Sequence, residues 1–325
     1  MRALTPRFLL IALGLFMAYT PLAGIAPASA AEAFPSKNVT IINPFSAGGG
    51  SDLLCRIIGE SLQRTWGKTV TVVSVPGGAG ATGMLQAKKA KPDGHTMILS
   101  CLGPASITPN RTNVGFNTPK DFVAVANITA SPYAIAVKAN SGIQTFADLV
   151  DRARKTTVTY GTPGAGLGQH VMFADLASKI SGADLQHIPF NGAADMLGAL
   201  LGGHVDAVVG VVNDLLGQVQ SGDVRVLATT GEQPSTIFPT PVPTFASLGY
   251  KPTLNGTWNG FLVPAKTPET IVLQLQDAIA NALKDPEVIE RFAKGKFPIV
   301  YEDHVALGNK VKSEYELFQK MLSKK

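Results

Sequence analysis

Val39-Thr-Ile-Ile-Asn-Pro-Phe-Ser-Ala-Gly-Gly-Gly-Ser-Asp52 joins a β-branched run to three consecutive glycines. The amphipathic segment Leu53–Gly67 (LLCRIIGESLQRTWG) follows at once. The order reads as a buried strand, a tight turn and a helix. Glycines let backbone approach a ligand closely, and the first N–H groups of a helix have no partners inside it. The helix dipole adds roughly half a positive charge at that end. Strand, turn and helix start together make an anion-binding element.

The same pattern recurs along the chain. Val70–Val75 reads as a strand leading into Pro76–Gly83 (PGGAGATG) and a helix, and His95–Cys101 as a third strand. Residues 104–120 are rich in Pro, Asn and Thr and read as loop. Phe122–Asn127 and Tyr133–Lys138 read as strands, and Thr145-Phe-Ala-Asp148 resembles a capping box opening a helix. Thr157–Tyr160 then runs into Gly161-Thr-Pro-Gly-Ala-Gly-Leu-Gly-Gln-His170, with a helix expected over Val171–Ile180. Leu185–Phe190, Val205–Val212, Val224–Thr229 and Trp258–Val263 read as further strands, and residues 303–322 as a last helix. This alternation predicts an α/β architecture with parallel sheets in two similar lobes.

The N-terminus carries an export signal. Arg2 and Arg7 precede an apolar stretch over Phe8–Ala18, and Ala28-Ser29-Ala30 is an A-x-A cleavage site, giving a signal peptide over residues 1–30. That apolar stretch is short of the roughly 20 residues a membrane span needs. Those residues hold two arginines and no acid, so the formal charge falls from +5 to +3 on cleavage. Lys/Arg blocks interleaved with aromatics are missing, which argues against nucleic acid. Cys55 and Cys101 both fall near one sheet edge, so a disulfide and two buried apolar thiols are equally compatible with the sequence.

In order, PFSAGGGSD, VPGGAGATG, KPDGHTMILS, YGTPGAGLGQH and IPFNGAADMLGALLGGHVDAV resemble the Bug-type periplasmic receptors of tripartite tricarboxylate transporters. VRVLATTG, PTPVPTFASLGY, WNGFLVPAKTP and DPEVIERF extend the likeness to nearly the whole mature chain. The resemblance implies a type II periplasmic-binding-protein fold: two α/β lobes joined by crossing strands, with the ligand cleft between them. Lobe one would hold residues 34–134 plus 259–325 and lobe two 135–258. The crossovers would lie near Ala134–Lys138 and Trp258–Val263, with the two glycine-rich loops facing one another. It also implies a monomer that takes a small carboxylate and delivers it to membrane permease subunits, without cofactor, metal or catalytic residue.

Carried onto this chain, the first ligand loop is Phe45, Ser46, Ala47, Gly48, Gly49, Gly50, Ser51 and Asp52. The second is Gly161, Thr162, Pro163, Gly164, Ala165, Gly166 and Leu167, with His170 just inside the helix. Asn191, where relatives often have Lys, and Asn213 complete the candidate set. With Ser74 and Val75 also replacing the Asn and Arg common in relatives, a less charged or aromatic ligand fits better than citrate.

Each candidate has a plainer reading. Asp52 suits backbone capping, His170 a satisfied helix histidine, and Asn213 a turn. Arg56 suits bonding to loop carbonyls or an acidic neighbour. SAGGGSD lacks the Lys-Ser/Thr of a phosphate-binding P-loop, and no G-x-S-x-G elbow or metal-ligand spacing occurs. The alternatives to transport are a periplasmic hydrolase or isomerase, or a ligand-presenting sensor, on the same scaffold.

Overall fold

The computed structural model describes residues 34–322 except Glu232, Pro234 and Thr236; the expected signal peptide lies outside the described residues. Two sheets organise the fold, with strands in the order β11-β4-β10-β3-β1-β2 and β7-β6-β8-β5-β9. The first is entered through β1 (Val39–Asn43), α1 (Gly50–Trp66), β2 (Val70–Ser74), α2 (Ala81–Lys88) and β3 (Thr96–Cys101). Short helical turns follow, among them α3 (Thr108–Arg111) and α4 (Thr118–Asp121), and then the long strand β4 (Phe122–Ser131). The loop expected over 104–120 is thus partly helical. Pro104, Pro109 and Pro119 sit in the first turns of these pieces, where a missing N–H costs nothing.

The chain changes sheet at Pro132. β5 (Tyr133–Lys138), α5 (Phe146–Ala153), β6 (Val158–Thr162), α6 (Gly168–Ser178), β7 (Leu185–Pro189), α7 (Ala193–Leu201), β8 (Ala207–Val211), α8 (Val212–Gln220) and β9 (Val224–Thr229) build the second lobe. The expected capping box opens α5: the Asp148 N–H donates to Thr145 Oγ1 at 3.1 Å, and Asp148 Oδ2 accepts from the Thr145 N–H at 2.8 Å. The chain then returns through β10 (Thr257–Pro264), α9 (Glu269–Ala282), α10 (Pro286–Lys294), β11 (Ile299–Glu302) and α11 (His304–Leu322).

Neither sheet is purely parallel, contrary to the expectation from alternation. β1 pairs parallel with β2 and β3, and β6 with β7 and β8, whereas β10 and β5 run antiparallel to both neighbours. β10 and β5 follow the two passages between lobes, whereas β11, antiparallel to β4, follows α10. The two strands after the passages enter their sheets from the cleft side, which reverses their direction. The stretches expected to cross, 134–138 and 258–263, are sheet strands; the passages lie just before them.

Core packing follows strand alternation. On β10, Phe261 and Val263 face one apolar layer with α1 and α9, while Trp258 and Leu262 face another with α2 and α11. The second sheet has its own two layers, one around Phe146, Phe173 and Phe245 and one around Met196, Leu200 and Val208.

The two passages are tied to each other. Thr257 pairs with Ser131, the Tyr133 N–H donates to Thr230 Oγ1 at 2.9 Å, and Thr230 Oγ1 donates to the Asn255 carbonyl at 2.6 Å. Gly256 lies against the Ser131 carbonyl so closely that a Cβ would overlap it. Gly256→Ala should cost about 1–3 kcal/mol of stability by overpacking the joint. Urea unfolding checks this, and an unchanged midpoint would mean the passages can part.

Candidate functional site

The first glycine turn is fixed from below by Asn43 at the end of β1. Its Nδ2 donates to the Phe45 carbonyl at 2.9 Å and to Ser74 Oγ at 3.1 Å. Gly48 has φ +86°, a left-handed conformation that suits glycine. Gly49 is the N-cap of α1 and supplies no side-chain cap. Asp52 is buried, and its Oδ2 accepts from the Gly48 N–H and from Arg56 Nε, both at 3.0 Å. It therefore holds the turn closed from the third helical position, and Arg56 finds the acidic neighbour expected for it.

Across the gap, the first loop meets the starts of α7 and α8. The Ser46 N–H donates to the Asn191 carbonyl at 3.1 Å, and Ser46 Oγ donates to Asp195 Oδ2 at 2.7 Å. The Gly50 N–H donates to Asp214 Oδ1 at 2.9 Å. Asp214 stands third in α8 and also accepts a backbone hydrogen bond from Val211, the N-cap of its own helix. One carboxylate thus joins the N-terminal ends of two helices from opposite lobes. Desolvation between the lobes pushes its pKa up to about 6, although both backbone donors favour the charged form. Its outer edge still touches solvent.

The 161–170 loop is braced by histidines. Thr162 Oγ1 lies 3.1 Å from the Gly164 carbonyl and 2.7 Å from His187 Nε2. The Gly166 N–H donates to His170 Nδ1 at 2.9 Å, and the His170 and His187 rings stack with centroids 3.8 Å apart. Burial, with Arg111 close by, lowers both histidine pKa values to about 4, so they are neutral near pH 7. His170 thus matches its plainer reading.

Phe45, Gly50 and Ser51 meet Pro163, Leu167 and Gln169 around one interlobe cavity of ≈ 50 Å³. Ser131, Thr257 and Asn259 border it from the passages, and Asp214 from α8. Beyond Asp214 lies a hollow of ≈ 550 Å³ lined by Gly48, Gly49 and helices α7 and α8. Ala47 and Ala165 are exposed. Gly161 packs under Phe190, leaving no room for a side chain.

Asn213 is committed elsewhere. Its Nδ2 donates to the Gly295 and Lys296 carbonyls at 2.9 and 2.6 Å, and its Oδ1 accepts from Ser131 Oγ at 2.6 Å. It links the lobes instead of presenting a free amide. The two glycine-rich loops border the same cavity, but the direct partners of the first are Asn191, Asp195 and Asp214. The sequence reading passed over Asp214, Gln169 and Asn259. An acid third after a strand's end, as in Val211-Val-Asn-Asp214, was the available signal for the first.

Cys55 and Cys101 are free and buried, so of the two open readings the structure takes the apolar one. Burial raises both thiol pKa values, that of Cys101 to about 12. Among the described residues, no group of three or more His, Cys, Asp or Glu is placed to hold a metal ion. Nor is any described helix long and apolar enough to cross a membrane.

Two α/β lobes, two linking passages and a cleft between helix starts define a periplasmic-type solute-binding protein. Residues 54–323 match the tripartite tricarboxylate transporter family receptor profile, and the chain belongs to that family. It is 33% identical to the UPF0065 protein of the TAR-I ttuE-ttuC' intergenic region in Agrobacterium vitis, over 95% of this chain and 90% of that protein. Among solved structures, the periplasmic binding protein BugD superposes with TM-score 0.83 at 27% identity, covering 90% of this chain and 98% of that one. The malate-bound MatC of Rhodopseudomonas palustris shares the fold with TM-score 0.82 at 24% identity, covering 89% of this chain and all of that one.

Asp214 yields a test with a definite sign. Its folded pKa of about 6 lies above its ordinary 3.8, so the folded state holds the proton more tightly. Stability should fall as pH rises through that window, and ionised Asp214 costs the fold about 1–3 kcal/mol above it. Asp214→Asn is expected to raise the unfolding midpoint at pH 7.5, with the gain shrinking towards pH 4. Calorimetry across that range decides it; a gain independent of pH refutes the account.

Proposed function

We propose that this receptor is exported to the periplasm after cleavage near Ala30. There it captures a small carboxylate-bearing solute between its lobes, without catalysis, and passes it as a monomer to the permease subunits of a tripartite tricarboxylate transporter. Lobe one is taken, to within two residues at each boundary, as residues 34–134 plus 259–325 and lobe two as 135–258, since β5 begins at Tyr133 and β10 at Thr257. The cleft residues assigned to the ligand are Phe45, Ser51 and neighbouring backbone N–H groups of the first loop, with Pro163 and the start of α6 opposite. The enzyme and sensor alternatives have no specific observation in their favour.

The observation that carries the proposal is the hydrogen bond from the Gly50 N–H to the Asp214 carboxylate. It supports reading the start of α1 as a place where backbone N–H groups hold an oxygen anion. The family's solute-receptor role and the carboxylates held by structural neighbours, malate in MatC and adipate in a second R. palustris protein, support the same chemistry. Ser51 extends the donor set at α1, and Gln169 lies in the first turn of α6, whose N-cap Leu167 supplies no side-chain cap.

Gly49 offers a clean test. Its φ of −86° suits any residue, and a Cβ would meet Ala193 Cβ at 3.5 Å and the Ala193 and Ala194 nitrogens at 3.9 Å, all ordinary contacts. Aspartate is a favoured N-cap, so Gly49→Asp should fold with unchanged or slightly raised stability while placing a second carboxylate on the α1 N–H groups. Titration calorimetry of the mature protein against carboxylic acids should show binding weakened at least about tenfold, a cost of about 1.4 kcal/mol. Gly49→Ser, which caps without charge, should lose less. Equal affinity in a folded Gly49→Asp protein would remove the first loop from the ligand site.

A further inference from the structure

Among the residues bordering the inner cavity, Asp214 is the one ionisable at neutral pH, and no Lys, Arg or His is present. A cleft meant for two carboxylates would be expected to offer cations or unused donors at both ends. Here one helix-start donor, the Gly50 N–H, is already taken by the Asp214 carboxylate. Gly50 also fits closely against it: a Cβ there would stand 2.6 Å from Asp214 Oδ1. The Gly50 donor is therefore met by an anion built into the wall, and a solute carboxylate has to use the donors that remain.

Resting on the carboxylate-capture reading, we propose that Asp214 sets the ligand class, selecting a small zwitterion, a carboxylate bearing an N–H cation, over a dicarboxylate. The ligand carboxylate would lie against the donors that remain, the Ser51 end of α1 and the Gln169 end of α6. The cationic N–H group would donate to Asp214. A charge-assisted hydrogen bond of this kind is about twice as strong as a neutral one. A second carboxylate in the same place would face a like charge in a medium of low dielectric, where repulsion is strong. Either the ligand or Asp214 would then have to take up a proton.

The test uses matched trios on the mature protein at pH 7.5, read by titration calorimetry. The first three are glycine, acetate and malonate; β-alanine, propanoate and succinate; and 4-aminobutanoate, butanoate and glutarate. A fourth is 4-(aminomethyl)benzoate, 4-methylbenzoate and terephthalate. Within the trio that fits the cleft, the amino acid should bind at least about tenfold tighter than the plain acid or the diacid. Asp214→Asn keeps an acceptor for Gly50 but no charge; it should erase that preference and improve diacid binding. Gly50→Ala, which displaces Asp214, should change the preference in the same direction.

Diacids binding best, or a preference untouched in folded Asp214→Asn protein, overturns the inference and leaves carboxylate capture standing. Binding by none of the twelve compounds counts against carboxylate capture itself, and the inference falls with it.

Discussion

Helices α1, α6 and α8 each begin where a strand ends at the border between the lobes, and each leaves first-turn N–H groups outside its own ladder. Their N-caps are Gly49, Leu167 and Val211, and none supplies a side-chain oxygen. Helices α5 and α10 are capped by Thr145 and Asp285. Helices α2, α7 and α9 also lack a side-chain cap, so what sets α1 and α8 apart is the carboxylate their first turns share. For α1 and α8, the Asp214 carboxylate meets that demand from both sides at once, and this bond holds the first loop against the second lobe.

Much of this architecture was readable beforehand because strand and helix periods differ so plainly. β1 and α1, the capped start of α5, and the strand at Val224–Thr229 lie within a few residues of their expected places. The mixed character of the sheets was not readable. Strand direction depends on where the chain passes between lobes, and nothing in the alternation of β10 distinguishes a parallel from an antiparallel neighbour. The likeness to a two-lobed family supplied that topology in outline.

Helix α8 was hidden by its own beginning. The apolar run Val205–Val212 flows directly into it, and its N-cap Val211 has none of the oxygens that mark a helix start. Asp214, three residues on, supplies the bond to the Val211 backbone instead. The residue that matters most to the cleft was therefore overlooked beside Asn213, whose amide joins Ser131 to the 295–296 turn. Paired histidines at 170 and 187 were equally invisible, since their stacking depends on α6 and β7 lying side by side.

The glycines of the cleft serve two different needs. At Gly48 and Gly166 the backbone is left-handed, and glycine relieves a strain that other residues would feel. Gly50, Gly164 and Gly192 have no such conformation, yet a Cβ on each would stand 2.6–2.9 Å from an atom of Asp214, Leu167 or Ser46. Two of these three neighbours belong to the opposite lobe. Backbone here meets the other lobe with no side chain between, which is what a short N–H to carboxylate bond across the gap requires. A side chain at Gly50 would hold the lobes further apart or evict Asp214, and the two helix starts would then need another anion to share.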